Sequence, residues 1–157
     1  MQQITPFLWF DGNAEEAINF YVSVFPKSMI KSTARYGDAG PGPKGSVMTM
    51  SFHLDGMDFV ALNGGPNYKF TPAISFVVNC ETQEQVDHLW DSLVEGGRAM
   101  ACGWLTDRFG LSWQITPTAL MTLLQDKDPA RAKRAMQAMM TMVKLDIAAL
   151  HRAADGE

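Results

Sequence analysis

Three histidines, two cysteines and a glutamine set among aromatic residues are the side chains of this chain with the types needed for chemistry. His53 alternates with Met50, Phe52 and Leu54 and so shares a strand face with Thr49 and Ser51, a polar face that either lines a cavity or meets water. A single imidazole can serve as a general acid or base, but no second ligand stands at a usable spacing, which disfavours a metal site. His88 falls on the polar side of a helix, and His151 in the last turn of another, where a cation suits the helix dipole. Ser112 and Gln114 alternate with Leu111, Trp113 and Ile115, so their side faces away from the packed one. A buried Gln must be hydrogen-bonded, by neighbouring strands, by water or by a ligand. Cys102 has no nearby base to activate it and reads as a small buried thiol. Trp9 adds aromatic area suited to an apolar ligand. Asn63-Gly64-Gly65-Pro66 reads as a linker, with Asn63 at a cavity mouth as the alternative.

The elements that must position these residues follow a repeating order. Ile4 to Phe10 forms an apolar strand closed by Asp11-Gly12, and Asn13 with Glu16 resembles a capping box for a helix whose stripe is Ala17, Phe20, Tyr21 and Val24. Residues 29 to 36 are strand-like. Gly37 to Gly45 holds four Gly and two Pro in nine positions, a loop that serves as a lid or a disordered tip. Two strands joined by Asp55-Gly56 follow. The order then restarts. Phe70-Thr71-Pro72-Ala73-Ile74-Ser75-Phe76 matches Ile4-Thr5-Pro6-Phe7-Leu8-Trp9-Phe10 at a shift of 66, with Thr, Pro and the last Phe identical. Thr82 and Gln85 cap a second helix carrying Val86, Leu89, Trp90 and Leu93. Phe109 to Ile115 mirrors Asp55 to Ala61 at a shift of 54. The second copy is about fifteen residues shorter, so one of its middle strands must be very short. Beyond Pro117 the pattern turns helical, with Asp128-Pro129 as a start and Ala132, Met136, Met139, Val143, Ile147 and Leu150 on one stripe.

Composition narrows the function classes. The 46% of hydrophobic residues excludes a disordered chain, and the net charge of -4 argues against nucleic acid and anionic membranes as partners. The longest uncharged stretch, Phe109 to Gln125, contains Ser112, Gln114, Pro117 and three threonines and cannot span a membrane. Cys80 and Cys102 read as free thiols of a cytoplasmic protein. Charged residues make up 19% while eleven residues are Met, which suggests more buried surface than one monomer needs. Met121, Met136, Met139, Met140 and Met142 cluster at the C-terminal end, so the expectation is a tail helix and a sheet face buried against a second copy.

Phe10-Asp11-Gly12-Asn13-Ala14-Glu15-Glu16-Ala17, Phe20-Tyr21, Leu54-Asp55-Gly56, Leu62-Asn63-Gly64-Gly65-Pro66 and Cys102-Gly103-Trp104-Leu105 through Ile115 together resemble the PhnB-like branch of the vicinal oxygen chelate superfamily, across nearly the whole chain. The resemblance implies an α+β fold of two tandem β-α-β-β-β modules with a C-terminal helical extension. The modules are 1–66 and 67–120 and the extension 121–157, all in one structural domain and forming a homodimer. In metal-using relatives each module gives a His or Gln from its first strand and a Glu from its last. The corresponding positions here are Thr5 or Pro6, Thr71 or Pro72, Val60 and Gln114, which retain one weak neutral ligand. The expected function is therefore binding of a small organic molecule, without a metal cofactor, in a cavity lined by some of Trp9, His53, Val60, Leu62, Ser112 and Gln114. The alternatives are a divalent-metal lyase, isomerase or dioxygenase using His53 and Gln114, and methyl transfer from S-adenosylmethionine, which the branch's common label, 3-demethylubiquinone-9 3-methyltransferase, implies.

Overall fold

The computed structural model describes residues 2–157, which divide into one unit ending at Phe70 and a second, Thr71–Glu157. In the first unit, strands β1 (Phe7–Phe10), β2 (Met29–Arg35), β3 (Val47–Leu54) and β4 (Met57–Asn63) form a sheet in the order β1-β4-β3-β2, with helix α1 (Ala14–Val24) after β1. β1 runs parallel to β4, and β3 pairs antiparallel with both β4 and β2. The period of two places Leu8, Phe10, Met50, Phe52, Leu54, Phe59 and Ala61 on the buried face, to which α1 contributes Ala14, Ala17, Ile18, Tyr21 and Val24.

The second unit repeats this topology with β5 (Ser75–Cys80), α2 (Gln83–Val94), β6 (Arg98–Ala99), β7 (Trp104–Thr106) and β8 (Ser112–Pro117), in the order β5-β8-β7-β6. The expected shortening falls on β6, which keeps two residues. The match at a shift of 66 is out of structural register. Val60 and Gln114 are equivalent at a shift of 54, and their parallel partners are Phe7 and Val77, which makes the first strands equivalent at a shift of 70. Thr5-Pro6 leads straight into β1, whereas Thr71-Pro72 lies in the approach to β5. Gly56 and Gly110, with φ of 94° and 92°, do occupy the same turn position, so the hairpin match holds.

Thr82 and Gln85 form the full reciprocal capping box of α2. Asn13 does not cap α1 with its side chain. Its ψ of 20° takes the side chain out of the extended geometry a capping residue needs, and the first helical N–H, from Ala14, instead donates to Asn63 Oδ1 at 2.9 Å.

The tail is three helices, α3 (Thr118–Leu124), α4 (Pro129–Met140) and α5 (Ile147–Asp155), rather than one. Asp128 caps α4 as expected. The helix stops at Thr141 because the next segment docks: the Met142 and Val143 carbonyls accept from Cys102 N and Gly103 N, and Asp146 then caps α5. Gln83 of α2 bonds both the Leu145 carbonyl and Ile147 N. Leu120, Leu123, Ala135, Leu145, Leu150 and Ala154 thereby form a core inside their own unit. Of the expected stripe, Met136 and Val143 stay exposed, as do Met121 and Met140. Among the described residues, no helix is long and apolar enough to cross a membrane.

Candidate functional site

The face of the first sheet turned away from α1 carries Trp9, Thr49, Ser51, Val60 and Leu62, all half-buried, and Phe7, which is 58% exposed. Phe7 pairs with Val60 and Trp9 with Leu62, so three of the expected site residues, Trp9, Val60 and Leu62, form one apolar surface. Trp9 is held at its edge: Nε1–H donates to the Gly65 carbonyl at 2.9 Å, Tyr68 meets the ring edge-on at 4.9 Å, and a Cβ at Gly64 would collide with the indole.

His53 shares this face but sits at the hairpin end, beside Asp58. Its Nδ1 lies 2.8 Å from Asp58 Oδ1, and its Nε2 accepts from Gly56 N at 3.1 Å. An Nε2 that accepts carries no proton, so this arrangement requires the neutral tautomer with Nδ1–H donating to Asp58. Both ring nitrogens are thus engaged in the hairpin. The His53 hydrogen bond first, and Lys31 after it, hold the Asp58 carboxyl below its ordinary range against some desolvation.

In the second unit, Ser112 and Gln114 lie on the face of β8 opposite buried Trp113 and Ile115. Gln114 Nε2 donates to Ser75 Oγ on β5 at 2.9 Å. Ser112 is fully buried, and among the described residues its Oγ is a buried side-chain polar atom without a hydrogen-bond partner. A buried hydroxyl without a partner is uncommon in a folded chain, and this one sits on the face of β8 that carries the half-buried Gln114.

A divalent ion does not fit the positions the fold would use. Those that the resemblance assigns, Thr5 or Pro6, Thr71 or Pro72, Val60 and Gln114, offer neither imidazole nor carboxylate, and Phe7 and Val77, the register partners of Val60 and Gln114, offer none either. Among the described residues no three His, Cys, Asp or Glu side chains are grouped to hold a metal. S-adenosylmethionine fits no better: each sheet has a single parallel pair, and the turn from β1 into α1 is Asp11-Gly12-Asn13.

Cys102, expected to be a buried thiol, is only half covered, and Cys80 is the buried one. Cys80 is buried on β5, and desolvation pushes its thiol up to about 11. Cys102 is half-buried, in a turn with φ of 62°.

None of the six expected residues lines the cavity that the first unit contains. This cavity, of about 540 Å³, lies at the sheet end where Asp11, Glu15, Arg35, Tyr36, Asn63 and the loop after β2 converge. Tyr36 is its hub. The phenol donates to the Asn63 carbonyl at 2.6 Å, Tyr36 N donates to the Ser46 carbonyl, and Gly45 N donates back to the Tyr36 carbonyl. Gly40 and Gly42 pass so close to the ring that a Cβ at either would strike it. The glycine-rich loop is thus wrapped on Tyr36, neither a free lid nor a loose tip. Asn63 ties the site together: Oδ1 accepts from Ala14 N, and Nδ2 donates to the Val47 carbonyl at 3.1 Å. The sequence signal for this cavity was an aromatic residue followed by glycines that leave room for its ring.

A family model described as 3-demethylubiquinone-9 3-methyltransferase matches residues 2–116. No curated protein matches the chain. Among solved structures, the PhnB protein of Bacillus cereus is 41% identical, with a TM-score of 0.69 over 74% of this chain and 100% of that one. A Pseudomonas aeruginosa protein is 24% identical over 74% of this chain and 98% of that one, with a TM-score of 0.63. The fosfomycin resistance protein FosX of Listeria monocytogenes is 11% identical over 74% of this chain and 93% of that one, with a TM-score of 0.52, a likeness of fold alone.

Proposed function

The chain belongs to the 3-demethylubiquinone-9 3-methyltransferase (PhnB-like) family, with the glyoxalase/bleomycin resistance fold of vicinal oxygen chelate proteins, and from that premise we propose that it binds a small organic molecule without a metal ion. Each unit offers contacts of its own: in the first, Trp9, Val60 and Leu62 form an apolar sheet face with His53 supporting the hairpin at its end, and in the second, Ser112 and Gln114 lie on one face of β8. The observation that carries it is the half-buried Gln114 amide, fixed by Ser75 and two residues from a buried Ser112 hydroxyl without a partner. A ligand for such surfaces has an apolar ring or chain and one hydrogen-bonding group, because apolar walls with a few fixed polar atoms recognise that combination. The cytosol is the compartment that suits its two unpaired thiols. A homodimer is part of the same proposal, supported by exposed Met121, Met136, Met140 and Val143, the apolar surface a second copy would cover.

The test is a fragment titration with phenols and aromatic carboxylic acids, read from the indole N–H resonance of Trp9 and the side-chain amide resonance of Gln114. Saturable shifts of the Gln114 amide that are lost in Ser112→Val, or of the Trp9 indole that are lost in Val60→Ser, are the expected outcome. Fragments that shift neither signal, or shift them equally in both variants, would overturn the assignment.

A further inference from the structure

We propose that the Tyr36 cavity of the first unit is a second binding site, selective for a basic amino acid. The volume of about 540 Å³ lies within the range of small-molecule sites. Its conserving framework is internal: the Tyr36 hydroxyl and both ends of the Asn63 amide are already engaged with the protein, so they shape the cavity rather than recognise its occupant. Recognition falls to the charged groups. Asp11 and Glu15 supply two carboxylates, and Arg35 supplies a guanidinium of which Nη1 donates to the Gly45 carbonyl.

The strand order separates the two signs. Asp11 follows β1, one edge of the sheet, and Arg35 ends β2, the other edge, with β4 and β3 between them. Three inter-strand spacings put those backbones roughly 14 Å apart, so the two signs stand on opposite sides of the cavity. A carboxylate is the group that pairs with Arg35, in the planar geometry guanidinium favours. The side-chain ammonium of a basic amino acid reaches Asp11 and Glu15 on the far side, while its α-ammonium stays beside the carboxylate. Two carboxylates against one guanidinium leave the lining one negative charge in excess, which a ligand with two ammonium groups and one carboxylate neutralises. Pro41, Pro43 and Val47 give the connecting methylenes an apolar wall.

This site shares no residue with the sheet-face reading, so either can fail alone. The experiment is calorimetric titration of the full chain with L-lysine, alongside 1,5-diaminopentane, which lacks the carboxylate, and L-norleucine, which lacks the side-chain ammonium. L-lysine is expected to bind saturably and each truncated probe roughly tenfold more weakly, since each loses a charge-assisted hydrogen bond. Arg35→Gln is expected to remove the advantage of L-lysine over the diamine. Glu15→Gln and Asp11→Asn are expected to weaken L-lysine and the diamine together. Thermal melts establish that each variant is folded. Absence of saturable L-lysine binding at millimolar concentration, equal binding of all three probes, or unchanged binding in all three variants would overturn the proposal.

Discussion

Asp107→Ala is expected to destabilise the second unit by about 3–5 kcal/mol, because it strands three donors at once, two of them buried. Asp107 is 2% exposed; its Oδ1 accepts from Phe109 N at 2.9 Å and Leu111 N at 3.0 Å, and its Oδ2 accepts from the Trp113 indole at 2.9 Å. The carboxylate therefore shapes the turn into β8 and pins the aromatic residue between Ser112 and Gln114. Asp107→Asn keeps an acceptor for the two backbone groups but turns an NH₂ toward the indole N–H, so its loss should be smaller. Denaturant unfolding followed by tryptophan fluorescence reads both. A loss below about 1 kcal/mol for the alanine variant would show that the turn holds without its carboxylate.

Asn63→Ala is expected to cost about 2–3 kcal/mol, the sum of a lost helix cap and a lost bond to the Val47 carbonyl. Asn13 cannot replace the cap, since its backbone is not in capping geometry. The start of α1 should fray, which faster amide exchange at Ala14 would report, and the wall between α1 and the Tyr36 cavity should loosen with it. Asn63→Asp retains the acceptor for Ala14 N and loses only the donor to Val47, so it should fall between the wild type and the alanine variant. Equal stability and unchanged exchange in Asn63→Ala would remove Asn63 from its role as the tie between helix, sheet and cavity.

These two residues show where sequence reading succeeds and where it stops. Asp107 belongs to the Asp-Arg-Phe-Gly turn that carries part of the family resemblance, and the three donors named above lie within six residues of it, so a local motif contains them. Asn63 acts on Ala14 across 49 residues, and no local spacing announces that bond. The same distinction explains the repeat. The Asp55-Gly56 and Phe109-Gly110 turns fix their hairpins locally and were legible in their correct register. The first strands take their register from parallel pairing with β4 and β8, far along the chain, so matching Thr-Pro pairs pointed to a shift of 66 where the pairing requires 70.

The tail was legible as helix because its 3.6-residue period is local. Its division was not, since the break at Thr141 depends on Cys102 and Gly103 receiving the Met142 and Val143 carbonyls. Of the candidate site, the alternation of Val60, Leu62, Ser112 and Gln114 placed the side chains on the faces away from the helices. The engagement of His53 was hidden in sequence, as it requires the hairpin to be closed. The Tyr36 cavity was legible only in part: Asn63 at a cavity mouth is one of two readings of the sequence and Asn63 does line it, whereas the glycines that looked like freedom in the chain are close-approach points once the ring is in place.

Metal independence is the central claim, and elemental analysis of the chain purified without chelator tests it most directly. The lack of imidazole and carboxylate at Thr5, Pro6, Thr71, Pro72, Val60 and Gln114, together with a His53 whose two nitrogens are already engaged, predicts far less than one equivalent of Zn, Ni, Mn or Fe per chain. A content near one equivalent that disappears in His53→Ala would contradict the account.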